Sequence, residues 1–356
     1  MTSPVQPGPV SQRDLDEMID ATTELHRSLD GSRVLVTGGT GFFGRWLLES
    51  WVDAGERLGL RRTAVVVSRN LDSFVRSAPH LAAHPSIELV SGDVLGPAPV
   101  SGQFDACIHA ATAASLALTE ADPRLMFDTV VLGTANVLEW MSRSGEVPLL
   151  FTSSGAVYGA QDPSVSRVAE GTASGPDPLA VSSVYAEAKR AAEMLCAIES
   201  GRGPACKIAR CFAFVGPHLP IDTHFAIGNF IRDGLAGGPI VLQGDGTPVR
   251  SYLYATDLVI WLWTILLRGT VARPYNVGSP DGHHLSDIAG VVADACGGIR
   301  VERRQEPVPG RPASRYVPDV TRAAVELGLR ETVGLDDAVR RTLAWYRELP
   351  EPSDHH

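Results

Sequence analysis

The 356-residue chain carries a net charge of −10 and is 44% hydrophobic and 20% charged. These proportions are ordinary for a globular protein, and an acidic balance without a basic stripe disfavours nucleic acid and anionic membrane as partners. The five cysteines show no spacing typical of a metal site or a disulfide framework, so we expect reduced thiols, no bound metal and a cytoplasmic location.

The order of patterns along the chain predicts a two-part protein with short ends. A charged amphipathic helix over Ser11–Leu29 follows a loose Pro-rich start and would pack on the domain or on a second subunit. The apolar run Leu258–Leu267 is shorter than the roughly 20 residues of a membrane span, so it predicts a buried helix, with Asp257 as its N-cap. The predicted parts are an N-terminal extension (1–30), a dinucleotide-binding domain (31–212), a mainly substrate-binding lobe (213–350, of which 248–275 returns to the first domain) and a loose tail (351–356).

Short apolar runs alternate with helical patterns between residues 33 and 211. The predicted strands are Arg33–Thr37, Ala64–Val67, Ile87–Val90, Ala106–His109, Leu149–Ser153 and Lys207–Cys211, and the predicted helices are Gly44–Ala54, Leu125–Met141 and Tyr185–Ile198. Continuous apolar strands that alternate with helices favour a parallel sheet covered on both faces. We therefore expect an α/β fold with a Rossmann-type doubly wound parallel sheet. The Gly- and Pro-rich stretches 215–246 and 274–282 would form a smaller C-terminal substrate-binding lobe.

A glycine-rich turn joins the first predicted strand to the first helix of this sheet. It reads TGGTGFFG over residues 37–44. Gly38 would permit the tight turn, Gly41 would let the backbone approach a pyrophosphate, and Gly44 would let the helix pack close to the strand. Free N–H groups at the start of the helix would hold the anion. The turn therefore predicts a dinucleotide site.

The end of the second strand bears on the choice between NAD and NADP. An NAD-specific domain usually places an acidic residue there to bind the ribose 2′-hydroxyl, whereas this chain has Ser68 and Arg69. A guanidinium and a hydroxyl suit a 2′-phosphate, so NADP is favoured; a plain surface arginine is the alternative. Asp93, at the end of the third strand, would bind the adenine amino group or cap a turn.

Three residues form the candidate catalytic set. Tyr185 and Lys189 stand four apart on a predicted helix and so share one face. A free tyrosine has a pKa of about 10, but a neighbouring ammonium and a positive nicotinamide ring would stabilise the phenolate and make Tyr185 a base. Ser154 follows the fifth strand, at the edge of the sheet where the crevice lies. Its hydroxyl would bond the oxygen that loses its proton.

The histidines do not follow a metal-binding pattern. His109 ends a strand and is expected to be structural. His218 and His224 lie in the irregular stretch 217–225, either as surface-loop residues or as part of a sugar pocket.

With these motifs in order, the chain resembles the NAD(P)-dependent nucleotide-sugar epimerase/dehydratase family of extended short-chain dehydrogenases/reductases. The resemblance runs from about Arg33 to Trp345. It rests on TGGTGFFG (37–44), SGD (91–93), HAAT (109–112), VVLGTANVLE (130–139), SSGAVYG (153–159), YAEAK (185–189), RCFAFVGP (210–217), GNFI (228–231) and GDGTPVRSYLYATDL (244–258). Val130 and Ala213 depart from the pattern because each replaces an asparagine of the family.

The resemblance and the motifs together imply a complete site and a homodimer. The expected cofactor is NADP or NAD, at Gly38, Gly41, Phe42, Phe43, Gly44, Ser68, Arg69, Asp93, Val94, Ala110, Ala111, Thr112, Thr152, Tyr185 and Lys189. The expected substrate is a nucleotide-diphosphate sugar, at Ser154, Gly155, Ala156, Asn229, Arg250 and Arg311. The guanidinium fork of Arg250 matches phosphate oxygens.

The residues after Ser154 bear on the reaction. Members of the resembled family first oxidise a sugar carbon to a ketone. Dehydratases of the family place an acid and a base directly after the catalytic Ser/Thr, and some decarboxylases place a glutamate there, but the side chains of Gly155 and Ala156 transfer no proton. We therefore expect a nucleotide-sugar epimerase acting at C4. The alternatives are an NADPH-dependent 4-keto-sugar reductase, which Arg69 supports, a dehydratase with an acid from elsewhere, and a non-catalytic NADP-binding protein.

Overall fold

A seven-stranded parallel sheet forms the centre of the computed structural model, which describes residues 8–112, 121–221 and 225–349. Its strands are β1 Arg33–Thr37, β2 Thr63–Ser68, β3 Ile87–Ser91, β4 Ala106–His109, β5 Pro148–Ser154, β6 Ala205–Cys211 and β11 Pro274–Val277. They lie in the order β11-β6-β5-β4-β1-β2-β3, and every neighbouring pair is parallel. The strand order reverses between β1 and β4, as in doubly wound sheets. The expected fold class is confirmed.

Helices cover both faces of the sheet. They are α1 Gln12–Arg27, α2 Phe42–Leu58, α3 Leu71–Ser77, α4 Pro79–Ala82, α5 Pro123–Ser142, α6 Val184–Glu199, α7 Ala226–Leu235, α8 Ala255–Arg268, α9 Leu285–Ala295, α10 Thr321–Leu327 and α11 Leu335–Glu348. Successive side chains of a strand point to opposite faces. Val34 and Val36 therefore join one hydrophobic cluster with α2 and α8, whereas Leu35 joins a second cluster with α5 and α6.

The six predicted strands and three predicted helices of residues 33–211 are all present, with ends shifted by a few residues. The assignment of 274–282 to the substrate lobe was wrong for its first part. Pro274–Val277 is β11, which pairs with β6 at the edge of the main sheet. Proline is tolerated at the first position of an edge strand, so Pro274 did not exclude one. Loose ends are predicted at the Pro-rich start and after residue 350. Residues 1–7 and 350–356, where these ends fall, lie outside the described residues.

The N-terminal extension forms α1, a third layer outside α2 and α8. Ser11 caps the helix by accepting a hydrogen bond from the Asp14 N–H at 3.2 Å. The Asp14 carboxylate is buried, which raises its pKa, and it receives a hydrogen bond from Arg341 of α11 at 2.8 Å. The Trp345 indole donates to the Pro9 carbonyl at 3.0 Å. The first and last helices are thus joined.

Short strands outside the main sheet build the surroundings of its carboxyl edge. They are β7 Phe214–Val215, β8 Ile240–Leu242, β9 Val249–Arg250, β10 Leu253–Tyr254, β12 His283–His284, β13 Val301–Arg303 and β14 Arg315–Tyr316. β7 pairs with β10, β8 with β13, and β9 lies between β12 and β14. The predicted division into two functional parts near residue 212 stays a prediction.

Asp257 has a different role from the predicted N-cap. α8 begins at Ala255 with Tyr254 in the N-cap position, so Asp257 lies inside the first turn. Its buried carboxylate accepts hydrogen bonds from the backbone of Thr332 and Val333, at 2.9 and 3.1 Å, and from the Thr332 hydroxyl at 2.6 Å. Asp257 therefore fixes the segment that leads into α11.

Within the described residues, no helix is both long and apolar enough to cross a membrane. Nor do residues 8–112, 121–221 and 225–349 contain a group of three His, Cys, Asp or Glu side chains that could hold a metal ion.

Candidate active site

The glycine turn lies between the carboxyl ends of β1 and β4, where the strand order reverses. Gly38 has a φ of +76°, and a Cβ on it would lie 2.4 Å from the carbonyl carbon of Ala110. A Cβ on Gly44 would lie 2.3 Å from the Cα of Gly39. A Cβ on Gly41 would meet only the Gly38 carbonyl, at 3.5 Å. Packing thus requires Gly38 and Gly44, while Gly41 leaves open space beside the turn.

Helix α2 points its N-terminus at this open space. The helix begins at Phe42, and no side chain in the described part of the chain caps it. The first N–H groups of a helix have no partner within the helix. Those of Phe42 and Phe43 can therefore bind an anion, which the helix dipole also favours. The turn has the free donors and the room that a pyrophosphate needs.

Polar groups at the ends of β2 and β3 form the far side of the crevice. The Arg69 guanidinium lies 3.8 Å from a carboxylate oxygen of Asp93, and both side chains are exposed. Asp93 also accepts a hydrogen bond from the Leu95 N–H at 3.0 Å, which is the turn-capping role considered for it. Ser68 ends β2 beside Arg69. Val94 differs from the others because its side chain is buried against α5.

A directed chain of hydrogen bonds holds the loop after β4. The Thr134 hydroxyl donates to the Val130 carbonyl at 2.6 Å, so it accepts from His109 Nε2 at 3.1 Å. His109 Nδ1 then accepts from the Thr37 hydroxyl at 2.7 Å, and Thr37 accepts from the Ala111 N–H at 3.4 Å. Burial lowers the pKa of His109 to about 3, which keeps the ring neutral as this pattern requires. His109 is structural, as expected, and it positions Ala111.

Lys189 joins the ends of β4 and β5. Its ammonium donates to the Thr112 hydroxyl at 2.8 Å and to the Thr152 carbonyl at 2.6 Å. The Nζ atom also lies 4.7 Å from the centre of the Phe151 ring, a cation–π contact. Burial lowers the pKa of Lys189 to about 8. The lysine therefore sits in the crevice itself and not on the outer surface of α6.

The Ser154 hydroxyl lies between two phenols. It lies close enough to Tyr185 and Tyr316 to lower the pKa of each phenol, and it accepts a hydrogen bond from the Ala156 N–H at 3.1 Å. Burial raises the pKa of Tyr185 to about 12, and the nearby Ser154 hydroxyl opposes that rise. Lys189 alone does not produce the lowered pKa expected from the sequence, because its ammonium is directed to Thr112 and Thr152. Formation of the Tyr185 phenolate therefore also needs the positive charge of the nicotinamide ring, the second cation expected from the sequence.

The structure brings together the three predicted catalytic residues and adds one that sequence reasoning missed. Tyr316 comes from the two-residue strand β14, which pairs with β9 so that Tyr316 is opposite Arg250. Its ring packs on Phe212 with ring centres 4.7 Å apart. Neither a periodic pattern nor a spaced motif surrounds Tyr316, so no local signal indicated it.

The predicted diphosphate-binding residues are more dispersed. Arg250 of β9 donates to the carbonyls of Val249 and Ser314, at 2.8 and 3.2 Å. Asn229 lies on α7, half-buried. Arg311 lies in the exposed loop before β14. Of these three residues, Arg250 is the one whose strand pairs with the strand of Tyr316.

Comparison with known proteins agrees with this geometry. The family model described as "NAD dependent epimerase/dehydratase family" matches residues 34–278. UDP-glucuronic acid decarboxylase 1 from Xenopus tropicalis is 29% identical over 325 residues, which are 90% of this chain and 73% of that protein. dTDP-glucose 4,6-dehydratase from Streptomyces venezuelae, solved with NAD bound, is 25% identical with a TM-score of 0.73, covering 89% of this chain and 97% of that one. UDP-glucose 4-epimerase from Thermotoga maritima, 22% identical with a TM-score of 0.73 over 89% and 99% of the two chains, shares the fold.

Proposed function

This chain belongs to the NAD dependent epimerase/dehydratase family, and we propose that it is a nucleotide-sugar epimerase acting at C4. The observation that carries the proposal is the contact of Ser154 with Tyr185 at the carboxyl edge of the sheet, beside Lys189. A hydroxyl donor, a phenol and a buried cation in one crevice are the groups that would remove the proton of a sugar hydroxyl, while a bound nicotinamide would supply the hydride acceptor.

The cofactor we propose is NADP or NAD, with NADP favoured. The uncapped start of α2 and the space beside Gly41 suit a pyrophosphate. Arg69 and Ser68 at the end of β2 suit a 2′-phosphate. The ion pair of Arg69 with Asp93 holds the guanidinium near the end of β3, beside the space where an adenosine ribose would lie. Lys189 would bond the second ribose; its ammonium, bonded to Thr112 and to the Thr152 carbonyl between the ends of β4 and β5, supports this role.

The chain's own residues would handle the proton of the reacting hydroxyl. The bound nicotinamide ring would supply the acceptor, and later the donor, of a hydride. Tyr185 would take the hydroxyl proton and return it, while Ser154 bonds the same sugar oxygen and holds it in line. Because the sugar carbon becomes trigonal, the ketone can present its other face before it is reduced, and the configuration at C4 is inverted with no net redox change.

Arg250 is the residue we propose for the sugar diphosphate, with Asn229 and Arg311 as further contacts. Its guanidinium is fixed by two backbone carbonyls, so less conformational freedom is lost when it binds phosphate oxygens. The relatives named above act on UDP- and dTDP-sugars by their names. We therefore propose a nucleotide-diphosphate sugar as the substrate.

Gly155 and Ala156, the two residues that follow Ser154, support epimerisation over dehydration or decarboxylation, because neither has a side chain that can transfer a proton. A second candidate is a dehydratase whose acid comes from another part of the chain. Tyr316 favours it, since its hydroxyl lies beside Gly155. Because the relatives named above include a decarboxylase and a dehydratase, the experiment below must also detect these two reactions.

Apolar side chains on α5 and α6 support a homodimer. Leu132, Met194 and Ile198 are 48%, 62% and 50% exposed, and the two helices pack side by side. Pairing of this surface with a second copy would bury them. A reduced cytoplasmic setting agrees with the five free cysteines, four of which are buried.

The test is incubation of the purified protein with a panel of UDP-, dTDP- and GDP-sugars in deuterated water, followed by NMR. An epimerase gives the C4 epimer without deuterium at C4 and without consumption of NADPH. A ketone with solvent deuterium at C5 or C6 indicates dehydration, loss of carbon dioxide indicates decarboxylation, and stoichiometric use of NADPH indicates a reductase. Any of the last three outcomes overturns the epimerase proposal.

A further inference from the structure

A side chain from a distant part of the sequence fills the space above Gly155. A Cβ on Gly155 would lie 2.7 Å from the Tyr316 hydroxyl oxygen and 2.8 Å from the Phe212 ring. Residue 155 therefore has no room for a side chain unless both Tyr316 and Phe212 move. The position directly after Ser154, where the sequence offers no proton-transfer group, has a phenol beside it in the folded protein.

Tyr316 also lies between the two ends of the proposed substrate site. Its strand pairs it with Arg250, whose positive charge acts on the phenol. On the other side its hydroxyl lies beside Gly155, the residue directly after Ser154, and the Ser154 hydroxyl lowers the pKa of the phenol. A nucleotide sugar with its diphosphate on Arg250 and its reacting carbon at Ser154 and Tyr185 would therefore lay its sugar ring against Tyr316.

The donor and acceptor capacity of Ser154 determines that the Tyr316 hydroxyl acts as a hydrogen-bond donor. A serine hydroxyl has one proton to donate and two acceptor positions, and Ser154 uses one acceptor position on the Ala156 N–H. When Tyr185 acts as a phenolate it can only accept, so Ser154 donates to it or to the sugar oxygen. Without substrate, the remaining acceptor position of Ser154 is available to the proton of Tyr316; when a sugar is bound, its reacting oxygen takes the place of Ser154 as the acceptor of that proton. Tyr316 is thus a donor facing the reacting atoms.

We propose that Tyr316 is a further catalytic residue, a neutral phenol that donates a hydrogen bond to the reacting sugar oxygen beside Ser154. As Tyr185 removes the proton, negative charge develops on that oxygen before the carbonyl forms, and a fixed donor lowers the energy of that state. The O–H proton passes to Tyr185, the hydrogen on carbon leaves as hydride, and Tyr316 keeps its own proton. The packing on Phe212 and the pairing of β14 with β9 hold the donor in place. This inference rests on the proposed function.

The experiment compares Tyr316→Phe, Ser154→Ala and the double variant, as purified holoenzymes, with the nucleotide sugar that the wild type turns over. Phenylalanine keeps the ring that packs on Phe212 and removes only the hydroxyl. We expect kcat to fall about 100-fold, as for loss of one donor at a developing charge, with KM and cofactor affinity changed less than about threefold. In the Ser154→Ala background, Tyr316→Phe should still lower kcat at least about tenfold. Tyr275→Phe, which removes a hydroxyl bonded to Glu326 and Thr270 and not to the proposed site, is the matched control and keeps wild-type kcat.

The outcomes separate this inference from the proposed function. A wild type that turns over no nucleotide sugar overturns both together. An active wild type with an equally active Tyr316→Phe variant overturns the inference alone. If the loss disappears in the Ser154→Ala background, Tyr316 acts only by orienting Ser154, and the direct contact with sugar is wrong. Unchanged thermal melting of Tyr316→Phe excludes unfolding as the cause of a loss; should the variant melt early, Tyr316→Trp provides a second ring without the phenol.

Discussion

The Nζ atom of Lys189 donates to the Thr112 hydroxyl at 2.8 Å, whereas it lies 5.9 Å from the centre of the Tyr185 ring. The lysine is thus tied to the loop after β4 and to β5, and the tyrosine to Ser154. Tyr185 and Lys189 share a helix but have separate partners. Binding of the cofactor and proton transfer should accordingly respond to different substitutions.

Tyr185→Phe should remove turnover and leave the cofactor bound. The substitution deletes the proton acceptor and keeps the ring, so we expect kcat to fall by at least about 1,000-fold, within the range for loss of a general base. The dissociation constant of NADPH, measured by fluorescence titration, should change less than about twofold. Tyr275→Phe serves as the control. A variant with near wild-type kcat would remove Tyr185 from the mechanism.

Arg69→Asp should shift the preference from NADP toward NAD. An aspartate would repel a 2′-phosphate and would stand close to Asp93, with which Arg69 is now paired at 3.8 Å. We expect NADPH to bind at least about tenfold more weakly, or about 1.4 kcal/mol, while NADH binding holds or improves. Arg76→Asp, an exposed change of the same charge on α3, is the control. Equal NADPH affinity in the two variants would show that Arg69 is a surface residue only.

Arg341→Met should destabilise the protein by about 3 kcal/mol, because it leaves the buried Asp14 carboxylate without its cationic partner. The side chains of Arg341 and Asp14 are only 10% and 1% exposed. Arg340→Met, next in the chain and 62% exposed, should change the free energy of unfolding by less than about 0.5 kcal/mol. Urea unfolding at neutral pH checks both. Similar values for the two variants would mean that the pairing of Arg341 with Asp14 contributes little to stability.

His218 should make the protein less stable in acid. Its two ring nitrogens are buried without a hydrogen-bond partner in the described part of the chain, and burial lowers its pKa to about 3. An unfolded histidine has a pKa of about 6.5. Between those values the unfolded chain binds a proton that the folded chain excludes, so the free energy of unfolding falls as the pH falls, by about 2 kcal/mol at pH 5.

His218→Phe tests this dependence. It keeps the edge-on ring contact with Trp345, whose centre is 4.6 Å away, and removes the titrating group. Urea unfolding at pH 7.5 and pH 5 should show a gain relative to wild type that is about 1–2 kcal/mol larger at the lower pH. His26 and His109 retain their own contribution to the acid sensitivity. The same difference at both pH values would contradict the assignment.

Sequence predicted those parts of the fold whose structure is determined by residues close to each other in the chain. β1, the glycine turn and α2 follow from short apolar runs and from the glycines between them. β11 was missed because a short strand after Pro274 gains its stability from pairing with β6. Asp257 was misassigned for a similar reason, since its partners lie beyond residue 330.

The site divides in the same way. Ser154, Tyr185 and Lys189 each occur in a motif with fixed spacing, and the fold brings them together. Tyr316 has no such motif, and only the pairing of β14 with β9 places it beside Ser154. The same pairing sets Arg250 opposite Tyr316, and the expected diphosphate roles of Arg250, Asn229 and Arg311 stay predictions.

The contacts of α1 with the distant helix α11 bear on the order of folding. Asp14 and Pro9 bind Arg341 and Trp345, which follow them in the sequence by 327 and 336 residues. These contacts can form only after that length of chain has been synthesised, so until then the acidic side of α1 is without its cationic partner. Incompletely packed chains of this kind are the ones that aggregate or engage chaperones.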